Sequence, residues 1–473
     1  MVASTSVKTS KTKSGLCILI LAGGKGTRMR SALPKPLHKI CGKPMLARIM
    51  QTAQTLRPAA IGVLTGFEAE KAQALIKENL PEWGISAKVV FTLQKVLNGS
   101  GTAVKDSLSF IKKYDNVLIL SGDAPLVRPS TLAAMYKDFA KTGAAASVLS
   151  VNVFNPYGYG RIVRDFDGEF EAIVEEANAD AAQKTITEIN SGMYIFKTAP
   201  LAKALSELKP KGPKKEYYLT DCVEIFKSKK LKVAAFNTAD ATEALGVNSK
   251  AQLAEAEAVL RDRKTAELLD RGVTIIRPET VDIDAEVSAA PDAVIYPNNF
   301  IYGKTQIAAG AIIEPNCFIV DSIIEEGAKI KAGSYIESAV VGPGAQVGPY
   351  AHLRSGTVLK EKAKVGNYCE TKKSVIGRGS KVNHLSYIGD TTMGEKVNVG
   401  AGTITCNYDG VNKFKTEIGN NVFIGSNTNL VAPVKLGNNS KTGAGSTITE
   451  DVEDGALALG RARQINIKNK GVK

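Results

Sequence analysis

Beyond residue 280 the apolar residues recur every six positions: Ile307, Ile313 and Ile319, then Ile324, Ile330 and Ile336, then Val341, Val347 and Leu353. The series resumes with Ile376, Val382 and Ile388, and later with Ile418, Ile424, Leu430 and Leu436. A period of six matches neither an α-helix nor an ordinary half-buried strand. It is what a parallel β-helix of hexapeptide repeats demands, in which every apolar residue points into a narrow prism. Many of these residues are followed by glycine, as in Val347-Gly348, Val365-Gly366, Val399-Gly400 and Ile424-Gly425, where a tight corner is expected. The repeat breaks once, from Thr403 to Lys413. An insertion that interrupts a solenoid does nothing for its core, so this segment is expected to serve binding.

The first half of the chain obeys a different rule. Leu16–Ala22, Ile61–Thr65, Val89–Thr92, Asn116–Ser121 and Ala145–Val153 read as buried strands, and Met45–Leu56, Glu68–Glu78 and Thr102–Ile111 as amphipathic helices between them. Strands alternating with helices predict a Rossmann-like parallel α/β sheet, with ligands at the carboxyl ends of its strands. From Ala251 the sequence AQLAEAEAVLRDRKTAELLDR holds neither Gly nor Pro and reads as one connecting helix. The expected organisation is a disordered leader over 1–15, an α/β domain over 16–250, a linker helix over 251–271 and the repeat domain over 272–473.

Composition narrows the chemistry. The longest purely apolar stretch near the N-terminus, Leu16–Ala22, is too short for a membrane span or a signal-peptide core, so a cytoplasmic location and no membrane partner are expected. Six scattered cysteines without a CxxC pair argue against a zinc ribbon or a disulfide framework. With only three histidines, His38, His352 and His384, any metal is expected on oxygen ligands, which favours Mg²⁺ over zinc. The net charge is +14, but one tryptophan and 6% aromatics speak against a base-stacking platform. The basic clusters are local, in the leader, over Lys209–Lys215 and in a tail after Asp454 that holds no acid. Phosphorylated small molecules, not nucleic acid, are the expected partners.

Directly after the first strand stands Leu21-Ala22-Gly23-Gly24-Lys25-Gly26-Thr27-Arg28-Met29, with Pro34-Lys35 close behind. A Gly-rich turn lets backbone N–H groups approach phosphates, and Lys25, Arg28 and Lys35 add positive charge. The spacing is neither that of a Walker loop nor GxGxxG. With Ser121-Gly122-Asp123, Tyr159-Gly160-Arg161, Glu188-Ile189-Asn190, Glu216-Tyr217-Tyr218, Gly246-Val247-Asn248 and Asn407-Tyr408-Asp409-Gly410, the chain closely resembles the bacterial bifunctional N-acetylglucosamine-1-phosphate uridyltransferase and glucosamine-1-phosphate N-acetyltransferase family, from about Leu16 to about Gln464. The resemblance implies a first domain that joins UTP to N-acetylglucosamine 1-phosphate, giving UDP-N-acetylglucosamine and pyrophosphate. It places Leu21, Ala22, Gly23, Gly24 and Gln94 on the uridine, Gly99 and Ser100 beside the base, and Ser121 and Gly122 in the same nucleotide site. Arg28 and Lys35 would neutralise phosphates, Asp123 and Asn248 would bind Mg²⁺, and Gly160, Glu175 and Asn190 would contact the amino sugar. Two departures stand out: Gly23 where the family commonly has Ala, and Gly99-Ser100-Gly101-Thr102 where it commonly has Gly-Thr-Gly-His.

For the second domain the resemblance implies N-acetylation of glucosamine 1-phosphate by acetyl-CoA. The attacking amine must be neutral, so a base that works near neutral pH is needed, and His is the natural choice. By resemblance His384 is that base, Tyr387, Arg354 and Lys372 hold the sugar phosphate, and Asn398 the sugar. Asn407 and Tyr408 would shape the acetyl-CoA site, and Ala401, Ser426, Ala444 and Arg461 would line the coenzyme channel, with Ser426 a candidate oxyanion donor. Glu370 is a candidate to orient the imidazole, while His38 and His352 read as structural. A left-handed coil and a homotrimer also come only with the resemblance. The alternative is a single-function sugar-1-phosphate nucleotidyltransferase with a structural β-helix. His384 and the interrupted repeat count against it, and the intact Gly-rich loop, Lys35, Asp123 and Asn248 count against a non-catalytic scaffold.

Overall fold

The computed structural model describes residues 15–211 and 215–467. All of the expected leader except residue 15, part of the basic loop (212–214) and the end of the basic tail (468–473) lie outside the described residues. The chain divides into two compact units, Met1–Val259 and Leu260–Lys473. The helix Lys250–Asp270 contributes to both.

The first unit is built on a nine-stranded sheet. Its path runs Val233–Thr238, Ala146–Asn152, Glu188–Lys197, Asn116–Ser121, Leu16–Leu21, Ala60–Thr65 and Val89–Leu93, and the hairpin Arg161–Arg164/Phe170–Val174 branches from it. The chain therefore leaves Leu16–Leu21 in one direction, through Ala60–Thr65 to Val89–Leu93, and returns on its other side at Asn116–Ser121. The ends of those two neighbours, Leu21 and Ser121, are register partners, at a point where strand order reverses and a crevice opens. Cys17 and Leu19 pack on one face, Ile18 and Ile20 on the other, as period-two alternation requires in a sheet covered on both sides. The sheet is not wholly parallel: Glu188–Lys197 runs antiparallel to all three strands with which it pairs. It follows the hairpin instead of a crossover helix, so nothing returns the chain to the starting edge.

The second unit is a left-handed parallel β-helix of three sheets with eleven, ten and nine short strands. Successive coils pair in parallel, Ile283 with Ile301, Ile301 with Ile319 and Ile319 with Ile336, and these inward side chains are fully buried. Thr371 and Thr405 occupy inward positions too, in the column Leu353, Thr371, Ile388, Thr405, Leu430. β-branched threonine fills the prism as valine does, and the Thr405 hydroxyl accepts the Gly389 N–H at 2.7 Å. Counting aliphatic residues alone hides these rungs. The insertion accordingly begins later than the apolar period implies: Ile404–Cys406 still pairs with Asn429–Val431, and the chain departs from the coil at Asn407. The corner glycines act through close approach of stacked coils. A Cβ on Gly366 would lie 2.0 Å from the Asn383 carbonyl oxygen.

Candidate functional site

At the switch point of the first unit, Asp123 follows the strand Asn116–Ser121 by two residues and is held by the Ser121 hydroxyl at 2.6 Å. Gly122 is required there: its N–H donates to the Leu21 carbonyl at 2.9 Å, and a Cβ would meet that oxygen at 2.7 Å. Asn248 arrives from a distant segment, fixed by the Val247 N–H donating to the Asp123 carbonyl at 2.8 Å. Lys35 threads past Gly26, where φ is +61° and a Cβ would strike the lysine stem at 2.6 Å. Its ammonium donates to Asp123 Oδ2 and to Asn248 Oδ1, the latter at 2.7 Å. A carboxylate and an amide oxygen thus converge on one cationic atom. Such a pair suits Mg²⁺, which takes one or two protein oxygens and completes its shell with water and phosphate. Among the described residues no three His, Cys, Asp or Glu side chains cluster for a self-sufficient metal cage.

The other nucleotide-site candidates gather along the same strand ends. Gln94 Nε2 donates to the Gly99 carbonyl at 3.3 Å, and its Oε1 lies 2.8 Å from where a Cβ on Gly23 would stand. Glycine at this departure from the family pattern leaves room for the glutamine amide. Ser100 Oγ accepts the Leu219 N–H at 3.0 Å, so its own hydroxyl proton remains to be donated. Gly99 has φ +118°, and a Cβ would lie 2.3 Å from the Tyr217 carbonyl. Gly99→Ala is therefore expected to lower the urea midpoint and raise the KM for UTP, since alanine in this conformation costs upwards of about 1 kcal/mol before the clash is counted. Gly24 faces open space, Arg28 is exposed on the short turn Thr27–Met29, and Lys25 stands 5.4 Å over the Phe67 ring.

Gly160, Glu175 and Asn190 come together: the Asn190 N–H donates to the Gly160 carbonyl at 2.8 Å, and a Cβ on Gly160 would lie 3.4 Å from Glu175 Oε2. The Asn190 amide donates to the hydroxyl of buried Tyr194 at 2.7 Å. Sequence reasoning missed Thr220, whose hydroxyl donates to Glu175 Oε1 at 3.2 Å, and Tyr218. Both line a cleft of about 700 Å³ with Glu175. The matching Glu216-Tyr217-Tyr218 motif was the available signal.

His38 is structural in kind: buried, with Nδ1 3.1 Å from Lys250 Nζ. Burial first, and the Lys250 charge second, hold its imidazole below the ordinary value. The unfolded chain therefore binds this proton first, so the stability involved is present above about pH 6.5 and is lost as the pH falls below it. Melting scans from pH 7.5 to 5.5 are expected to show that decline, and His38→Gln to flatten it.

In the second unit, His384 ends the strand Lys381–His384, and its Nδ1 lies 2.8 Å from Asn367 Oδ1. Asn367 is its register partner one coil earlier, which a count of the coil period would have found. The expected orienting residue, Glu370, is corrected: it pairs in register with Tyr387, and its carboxylate accepts from Arg354 Nη1 at 2.8 Å. It lies on the next face of the prism and is committed to the arginine. His384 stands on one edge with three coenzyme candidates. Gly402 N–H donates to the His384 carbonyl, Asn427 N–H to Ala401 and Gly445 N–H to Ser426, carrying that edge from coil to coil towards Ala444. Ala401 is half-buried, and Ser426, Ala444 and Arg461 are exposed.

On the neighbouring face Lys372 follows inward Thr371, as Arg354 follows Leu353 one coil before. The Lys413 ammonium, with Arg354 beyond it, holds Lys372 below its ordinary value. Lys413 comes from the insertion, and sequence reasoning did not single it out. Crowded cations of this kind are relieved by an anion. The insertion is a small hairpin, with Tyr408 bridged to Lys413 and Asp409 Oδ1 accepting the Val411 and Asn412 N–H groups at 2.8 and 2.6 Å. Asn407 is buried, and its amide donates to Asp390, anchoring the loop; Tyr408 is exposed. Asn398 sits half-buried on the strand Asn398–Val399. His352 packs edge-on to Tyr335, centroids 5.0 Å apart.

Comparison with known proteins agrees with both halves. The nucleotidyl transferase family matches residues 17–243, the GMPPB C-terminal domain residues 280–369, and the bacterial transferase hexapeptide family residues 415–450. The bifunctional protein GlmU of Carboxydothermus hydrogenoformans is 45% identical over 448 residues, covering 95% of this chain and 98% of that protein. The proteins of that name from Thermoanaerobacter pseudethanolicus and Marinobacter nauticus are 44% and 42% identical, each covering 96% of this chain, and 96% and 98% of their own lengths. With similarity running through the Gly-rich loop, the α/β unit and the repeat unit alike, the chain belongs to the bifunctional GlmU family.

Proposed function

We propose that this chain makes UDP-N-acetylglucosamine in two steps, acetylating glucosamine 1-phosphate with acetyl-CoA in its β-helix and joining the product to UTP in its α/β unit. The observation that carries the reading furthest is the edge shared by His384, Ala401, Ser426 and Ala444, with Asn367 behind the imidazole. At about 4.8 Å per coil, Asn367 to Ala444 spans about 19 Å, a track for an extended coenzyme arm beside one base. The single-function alternative gives no reason for that alignment.

In the acetyl transfer, His384 takes the proton from the amine of glucosamine 1-phosphate as nitrogen attacks the thioester carbonyl, and CoA leaves as the thiol. Asn367 holds the ring in one orientation. Arg354, Lys372 and Lys413 receive the phosphate, Tyr387 and Asn398 the rest of the sugar phosphate, and Ser426 faces the developing oxyanion. Tyr350, Tyr368 and Leu385 form an exposed apolar ridge beside His384, the two tyrosine rings stacked at 5.8 Å. Such a ridge supports assembly through the repeat unit, as a homotrimer, with Asn407–Tyr408 and Arg461 closing the coenzyme site.

In the uridyl transfer, an oxygen of the sugar phosphate displaces pyrophosphate at the α-phosphorus of UTP, so catalysis is positioning and charge neutralisation. Asp123 and Asn248 would hold Mg²⁺, which supplies charge neutralisation between the phosphoryl groups. Lys35 and Arg28 meet the phosphates, Gln94, Gly99 and Ser100 orient the base, and Gly160, Glu175 and Asn190 hold the amino sugar. Among the described residues no helix is long and apolar enough to cross a membrane, and a cytoplasmic enzyme fits substrates of this kind.

The direct test is release of CoA thiol from acetyl-CoA and glucosamine 1-phosphate with UTP left out. Substrate-dependent release is expected. Its absence, with pyrophosphate still formed from UTP and N-acetylglucosamine 1-phosphate, would reduce the β-helix to an assembly unit.

A further inference from the structure

Arg161 is opposite Val174 on one neighbouring strand and Ile189 on the other. Gly160 before it, and Glu175 and Asn190 after those partners, therefore meet at one end of a three-stranded ladder, which explains how three residues distant in sequence form one subsite. Arg161 itself, in the Tyr159-Gly160-Arg161 motif, is given no role by the reaction described above. Its side chain is 2% exposed. Nη2 donates to Glu176 Oε2 at 2.6 Å and Nη1 to the Tyr159 carbonyl, while Nε is buried with no hydrogen-bond partner among the described residues. The same Glu176 oxygen accepts the Gly158 N–H at 3.2 Å. A buried guanidinium with an unpaired N–H is a poor way to stabilise the end of a sheet, where an apolar side chain would serve better.

We propose that Arg161 is the positioning residue of the amino-sugar subsite: gripping Glu176 and the Tyr159 carbonyl, it holds Glu175 against Gly160 at the spacing that receives the sugar. The proposal rests on the reading of Gly160, Glu175 and Asn190 as the sugar contacts. The clamp reaches one residue beyond Glu175 and one residue before Gly160, so it sets both walls of the subsite at once. The uridine residues hang from other strand ends and do not depend on it.

Steady-state kinetics of Arg161→Met, Arg161→Lys, Glu176→Gln and Glu175→Gln separate the possibilities. In Arg161→Met the KM for N-acetylglucosamine 1-phosphate is expected to rise about tenfold or more with the KM for UTP changed less than about twofold, because a displaced contact penalises only the substrate that it positions. Arg161→Lys keeps one charged donor and is expected to recover part of the loss. Glu176→Gln keeps a weaker hydrogen bond and is expected to fall between. Circular dichroism and urea unfolding report folding of the α/β unit, and acetyl transfer, in the other unit, serves as the internal standard for enzyme concentration. Both KM values rising together, or neither rising, in Arg161→Met overturns the proposal. Should that variant fail to fold, an unchanged sugar KM in the half-exposed Glu176→Gln overturns it instead. A raised sugar KM in Glu175→Gln alone defeats only the clamp, whereas an unchanged value in Glu175→Gln defeats the sugar assignment beneath it.

Discussion

Replacing His384 with alanine is expected to lower acetyl transfer by roughly 10²- to 10⁴-fold, the usual contribution of a positioned general base. Uridyl transfer, measured as pyrophosphate release with N-acetylglucosamine 1-phosphate supplied, is expected to stay at its wild-type rate. The geometry makes the first half specific. His384 is exposed at the end of its strand, so alanine leaves no cavity, and among the described residues its ring is held by one side chain, Asn367, at 2.8 Å. Asn367→Ala is expected to give a smaller loss, because the base remains and only its orientation is freed. The second half follows from the division of the chain, since each unit has its own core and its own site. Loss of both activities in a folded variant would contradict that separation. Retention of acetyl transfer would remove His384 from the base role.

The mirror prediction concerns Asp123. Asp123→Asn keeps the shape of the side chain and its place beside Ser121, but removes the negative charge that faces the Lys35 ammonium. Uridyl transfer is expected to fall on the order of 10²- to 10³-fold, as when a preorganised electrostatic contact is lost. The Mg²⁺ concentration for half-maximal rate is expected to rise, with acetyl transfer unaltered. Asn248→Ala is expected to act in the same direction and more weakly, since it removes a neutral amide oxygen instead of a charged one. The pair tests whether the two oxygens that converge on Lys35 act on one cation. An unchanged Mg²⁺ requirement in both variants would leave them as partners of the lysine only.

Much of this was legible in the chain. Inward residues every six positions announce a three-sided solenoid because no other regular structure has that period, and covered sheets leave apolar runs. The Gly-rich turn and the acid after Asn116–Ser121 could be assigned by motif because backbone approach demands glycine at defined positions. The orienting partner of His384 was not legible. Glu370, fourteen residues before His384, lies round a corner of the prism, and Asn367, seventeen residues back, is the true neighbour because coils stack in register. Thr371 and Thr405 hid rungs because threonine satisfies its hydroxyl within the corner and still fills the space of valine.

The two architectures, their order along the chain and the residue types that each chemistry requires can be read from the residues in order. Which of those residues meet depends on the folded chain. Asp123 and Asn248 converge on Lys35 because a strand end, a short turn and a late segment are pinned to one another. Gly160, Glu175 and Asn190 converge because antiparallel register brings them to one end of a ladder, with Arg161 beneath it. Hydrophobic period is a property of neighbours along the chain, so sequence displays it. Register between distant strands is set by hydrogen bonds and packing summed over whole sheets, and it becomes visible only when the chain has folded.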